Sequence, residues 1–116
     1  MANSILTHVW TGRSGIQYTY NVYPIGFAFP EKVVGNYIFV RYADREYHPV
    51  YIGEGILAER CSGKHHQAKC IVSKGAILIH AHPNTVDLLR KGEETDLLAA
   101  YPQAYAPIGC NEKPGG

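Results

Sequence analysis

The sequence predicts an α+β domain: a small, mainly antiparallel three-stranded sheet flanked by helices, with an extra strand ahead of it. Three observations carry this reading. Residues 36–42 and 48–53 are rich in aromatic and β-branched side chains and flank a short polar stretch, the pattern of a hairpin. Ala76-Ile77-Leu78-Ile79-His80 is an apolar run bounded by Gly75 and Pro83, which suits a largely buried strand. Helical spacing follows both the hairpin and this third strand.

In chain order, residues 17–23 (Gln-Tyr-Thr-Tyr-Asn-Val-Tyr) alternate as a strand, and Pro24-Ile25-Gly26 ends it. Residues 27–34 contain Pro30 and read as a connection. The hairpin turns at Ala43-Asp44-Arg45-Glu46. After a break at Gly55, residues 56–61 have short-helix spacing, stopped by Ser62-Gly63. Asn84 is a good helix N-cap, with Val86, Leu88, Leu89, Leu97 and Leu98 on one broad face that Gly92 weakens, and Glu93 solvated beside it. Pro102 ends that helix. The Pro- and Gly-rich remainder is a loop that either packs over the domain or frays.

Composition limits the function classes. A chain of 116 residues is one ordinary domain, and 46% hydrophobic with 18% charged residues is neither disordered nor membrane-like. No apolar run is long enough to span a bilayer, and Met1-Ala2-Asn3-Ser4 has no signal-peptide pattern, so the cytoplasm is the expected compartment. Cys61, Cys70 and Cys110 are an odd set without Cys-x-x-Cys spacing, so reduced thiols are expected. A net charge of +1 means that any groove for phosphates must be local. There is no Gly-Lys-Ser/Thr for a phosphate loop. His80 and His82, two apart on a strand, lack an evident third metal ligand, so a strand-end role is expected of them.

Several motifs appear in order. Gly35-Asn36-Tyr37 is followed by Tyr51-Ile52-Gly53, then by Leu57 and Arg60, by Glu94 with Leu97 and Leu98 behind it, and by Pro107-Ile108-Gly109-Cys110-Asn111. This series resembles the GIY-YIG nucleases: the paired signature that names the family, its Leu-x-x-Arg, its later Glu-x-x-Leu-Ile/Leu, and the Pro-x-x-Cys-Asn ending of some small members. The resemblance covers residues 35–112, leaving 1–34 as an extension with one strand and 113–116 as a flexible tail. It implies metal-dependent hydrolysis of phosphodiester bonds in nucleic acid, with DNA favoured but RNA left open, and with one Mg²⁺ or Mn²⁺ ion. It also implies that one of the two tyrosines deprotonates the attacking water. Asn111 has a structural role in that family, and Gly35 and Gly53 support the site.

The residue chemistry agrees. Mg²⁺ often takes one or two carboxylates and keeps several waters, which suits Glu94 as a lone helical ligand. Arg60 offers a guanidinium fork to a phosphate. Tyr37 and Tyr51 can present phenols from one hairpin face. Where the family carries a Tyr or His one turn past the arginine, this chain has Lys64, His65 and His66. His65 is selected because imidazole exchanges protons near neutral pH, with Lys64 as a point charge for phosphate. Two departures stand out. Asn36 replaces the central isoleucine at what reads as an exposed position, and Glu54 sets a negative charge near the phosphate. A catalytically silent module of this fold binding nucleic acid or protein stays open, as does an unrelated α+β protein; the N-terminal strand either adds to the sheet edge or serves as a homodimer contact.

Overall fold

The computed structural model describes residues 6–113, so most of the expected tail lies outside the described residues. The class is α+β, but the sheet has five strands rather than three, all antiparallel. They are β1 (Thr7–Thr11), β2 (Gln17–Pro24), β3 (Val34–Ala43), β4 (Glu46–Ile56) and β5 (Leu78–Pro83), in the order β1-β2-β5-β3-β4. The extra strand at 17–23 is therefore no appendage. As β2 it pairs directly with β5, Asn21 opposite Ala81, and carries β1 on its other side.

The hairpin forms as the pattern predicts. Asp44 and Arg45 take positive φ angles of 54° and 62°, the twist that lets a two-residue turn join Ala43 to Glu46. A bulge lies where the register shifts between Phe39 and Val40. β3 is buried on both faces: Tyr37 and Phe39 enter one core with Leu57, Cys61 and Ile71, whereas Ile38 and Val40 enter another with Trp10, Tyr20, Ile52 and Leu97. Side chains two apart share a face, so one continuous apolar run serves two layers.

The first layer holds α1 (Leu57–Arg60) and α2 (Ala68–Ser73), the second of which the sequence did not reveal. The opposite layer holds α3 (Asp87–Ala100). It begins later than expected: Asn84 Oδ1 accepts from the Val86 amide at 3.3 Å, as a turn ahead of the helix rather than as its cap. Its buried face also differs. Leu88 and Leu89 are 81% and 62% exposed, whereas Glu93 is buried, contrary to the solvated role expected of it. Glu93 accepts from the Tyr20 hydroxyl at 2.5 Å and pairs with His82 Nε2 at 2.7 Å. A polar network has replaced a leucine stripe at this interface. His80 joins a different network, accepting at Nδ1 from Trp10 Nε1–H at 2.9 Å, so the two histidines form no metal pair.

The C-terminal segment packs instead of fraying. Cys110 is disulfide-bonded to Cys70 on α2, which corrects the expectation of three reduced thiols; only Cys61 is free, and it is buried. The Asn111 amide then behaves like one more strand residue along the outer edge of β4. Its Oδ1 accepts from Ile52 N–H at 2.8 Å and its Nδ2–H donates to Ile52 C=O at 2.9 Å. Among the described residues no helix is long and apolar enough to cross a membrane.

Candidate functional site

The site is built around the β3–β4 hairpin. Tyr37 is opposite Gly53, and a Cβ on Gly53 would overlap the Tyr37 hydroxyl. The glycine thus lets the phenol lie across β4. Gly35 has a parallel role at the other neighbour: a Cβ there would run into the His82 carbonyl, so it permits the close approach of β3 to β5. Gly55, at φ +142°, takes a conformation that L side chains rarely adopt, and a Cβ there would crowd the Arg60 side chain, 2.9 Å from Nε. Its weight was not legible beyond a chain break in the sequence.

Tyr37 and Tyr51 lie nearly parallel, ring centroids 6.1 Å apart. His65 stands edge-on to both, its centroid 4.6 Å from Tyr51, and its Nε2 is 2.9 Å from the Tyr37 hydroxyl. His66 stacks on His65 at 4.5 Å. Three residues separated by up to 28 positions thus share one contact cluster.

The tautomer of His65 follows from its second bond. The Gln67 backbone N–H donates to His65 Nδ1 at 2.9 Å, so Nδ1 accepts and the ring proton sits on Nε2. Nε2–H therefore donates to the Tyr37 oxygen. Burial, reinforced by His66 and Arg60, pushes the His65 pKa down to about 4. At neutral pH the ring is a fixed neutral donor, which corrects the expectation of a proton-exchanging imidazole.

Arg60 on α1 and Glu94 on α3 act on the two tyrosines through their charges. Burial raises the Tyr37 pKa, with Tyr51 and Cys61 adding to it, Arg60 opposing and Glu94 adding further. Tyr51 is raised first by burial and then by the Glu94 carboxylate, while Arg60 and a hydrogen-bonding interaction with Tyr37 pull it down. Glu94 is itself raised to about 6, by burial and by Glu54, against the attraction of Arg60 and Lys91. Arg60 thus acts on the tyrosines, His65 and Glu94, and Glu94 acts on both tyrosines.

Two departures look different in three dimensions. Asn36 is buried rather than exposed, and its Nδ2–H donates to the Arg90 carbonyl at 2.9 Å, tying β3 to α3. Glu54 is ion-paired with Arg90 at 2.9 Å, so much of its charge is answered locally. Arg90, which the motif pattern did not single out, also bonds Asp87 and the Asn84 carbonyl and so fixes the start of α3.

Beside the cluster an open cleft of about 540 Å³ is lined by Arg60, Lys64, His65 and His66, with Glu59 as its acidic member. Among the described residues no three His, Cys, Asp or Glu side chains converge as a metal-holding group. Glu94 belongs to no such group; its pKa is raised by burial and Glu54 and lowered by Arg60 and Lys91. No family model matches the chain, and no curated protein or solved structure matches it.

Proposed function

We propose that the chain is a metal-dependent nuclease of the GIY-YIG type, hydrolysing phosphodiester bonds in nucleic acid. The observation that carries this reading is the packed cluster of Tyr37, Tyr51 and His65, under the charges of Arg60 and Glu94 and beside a cleft lined by Arg60 and Lys64. The arrangement β5-β3-β4 with α1 directly after the hairpin supports the same reading, since it supplies the three antiparallel strands that the motifs imply.

In this mechanism Arg60 binds the scissile phosphate and answers the charge that builds on its oxygens. Lys64 and His66, on the same cleft wall, hold a neighbouring phosphate. Tyr51 is the more accessible phenol; its oxygen accepts a hydrogen bond from the attacking water and orients it. The water's proton passes to bulk solvent as the new P–O bond forms, and the leaving oxygen takes a proton from solvent. Tyr37, buried beneath it, passes His65's hydrogen bond to the pair and keeps the phenol cluster oriented. Glu94 is the residue that would hold Mg²⁺ or Mn²⁺, which supplies Lewis-acid polarisation of the phosphate when bound.

The test is cleavage of labelled single-stranded, duplex and branched DNA and RNA with Mg²⁺ or Mn²⁺, comparing wild type with Arg60→Ala and Glu94→Ala. Metal-dependent cutting that both substitutions abolish is the expected result. Intact substrate throughout, with wild-type binding retained, would make the chain a catalytically silent module of this fold.

A further inference from the structure

Beside the cationic cleft lies a second groove of opposite character. This groove, about 500 Å³, shares Ala58, Ser62 and His65 with the cleft, so the two are neighbours that use the same three residues as wall. Its floor is apolar and buried, made by Phe39, Cys61 and Ile71. Its exposed lining includes Phe27, 40% exposed on the loop after β2, and Val72 on α2. Phe27 is held in place by other rings, 4.6 Å from Tyr23 and 4.9 Å from Phe29.

We propose that this groove binds an unstacked nucleobase of single-stranded nucleic acid whose own or adjacent phosphate lies in the cationic cleft; the inference rests on the nuclease reading of that cleft. Two features select this ligand. The groove offers aromatic and apolar surface with few polar groups, which favours a flat π-system read by stacking rather than by base-edge hydrogen bonds. The cations sit at one end only, at Arg60 and Lys64, matching a ligand whose charge is at one end and whose flat apolar part is at the other. A base in a duplex is already stacked and cannot enter, so the substrate is a single strand, an end or a branch.

The experiment is fluorescence-anisotropy binding in EDTA, which separates recognition from cutting. Probes are single-stranded DNA, single-stranded RNA, a duplex, and a single strand carrying abasic positions, each with wild type, Phe27→Ala and Lys64→Ala. The expected result has three parts: single strands bind more tightly than duplex, abasic substitution weakens binding about tenfold or more, and Phe27→Ala does the same on the intact strand alone. Lys64→Ala weakens all probes alike and lowers the salt dependence. The abasic comparison uses unaltered protein, so it stands even where Phe27→Ala disturbs the loop. Equal affinity for intact and abasic strands, or for single strand and duplex, overturns the groove assignment and leaves the nuclease reading to its cleavage assay. No binding of any probe overturns both.

Discussion

Asn111→Ala removes two hydrogen bonds from the edge of the sheet without touching the cluster that we assign to catalysis. Its side chain is the partner of both the N–H and the C=O of Ile52, a residue that is 1% exposed. Stranding a buried polar group costs about 1–3 kcal/mol each. Water entering the truncated site recovers part of this, so the expected loss is about 2–5 kcal/mol. For a chain of this size that corresponds to a fall in Tm of roughly 10–20 °C. Urea denaturation followed by circular dichroism, with calorimetry for Tm, reads both. Asn111→Asp sharpens the reasoning. Its carboxylate still accepts from Ile52 N–H but faces the Ile52 carbonyl with an acceptor in place of a donor. That repulsion raises the folded-state pKa of the new carboxyl, so the missing stability returns as pH falls and the acid becomes a donor. A loss under 0.5 kcal/mol for Asn111→Ala, or an Asp variant as stable as wild type at neutral pH, would refute the pseudo-strand account of this residue.

Other consequences are equally accessible. Glu94 has a folded-state pKa raised to about 6, so its stabilising contribution is complete below its ordinary value and lost as pH rises through about 6. Glu94→Gln therefore melts higher than wild type at pH 8, by about 1 kcal/mol after allowance for solvent screening, and the difference closes near pH 4. Long-range ¹H–¹⁵N spectra of the histidines should show His65 as the neutral Nε2–H tautomer throughout pH 5–8, its titration beginning only toward pH 4; an imidazolium at pH 6 would contradict its assignment as a fixed donor. Reduction of Cys70–Cys110, which closes a separation of 40 residues, should lower stability by about 2–4 kcal/mol. Thiol titration of the unreduced native protein should find Cys61 unreactive until unfolding, because burial pushes its thiol up to about 12.

How much of this was legible in the sequence depended on whether a signal was local. The hairpin could be read because its strands and its turn sit within a few residues of each other, and the turn needed only Asp44 and Arg45 at positive φ. β1 escaped notice because five residues, Thr-His-Val-Trp-Thr, carry little pattern of their own and are ordered by pairing with β2. The short α2 buries only Ile71, too little for a periodicity. The face of α3 was misread for a physical reason: periodicity counts leucines, whereas Glu93 is drawn inward by Tyr20 and His82. The disulfide could not be found from three cysteines, since their pairing is set by where the tail packs against α2.

The candidate site divides the same way. The motifs named Tyr37, Tyr51, Arg60, His65 and Glu94; the structure packs His65 against both tyrosines, and the charges of Arg60 and Glu94 act on those tyrosines. What the sequence could not supply was the protonation logic. A backbone amide from Gln67 chooses the tautomer of His65, and neither residue's identity announces that bond.

The measurement that bears most directly on the nuclease reading is the single-turnover cleavage rate of a labelled single strand as Mg²⁺ is titrated, for wild type and Glu94→Gln at pH 8. The account predicts a saturable Mg²⁺ dependence in wild type and a rate about a hundredfold lower or worse in the variant, which at that pH is the more stable protein. Equal rates in the two proteins, or cutting indifferent to Mg²⁺, would contradict it.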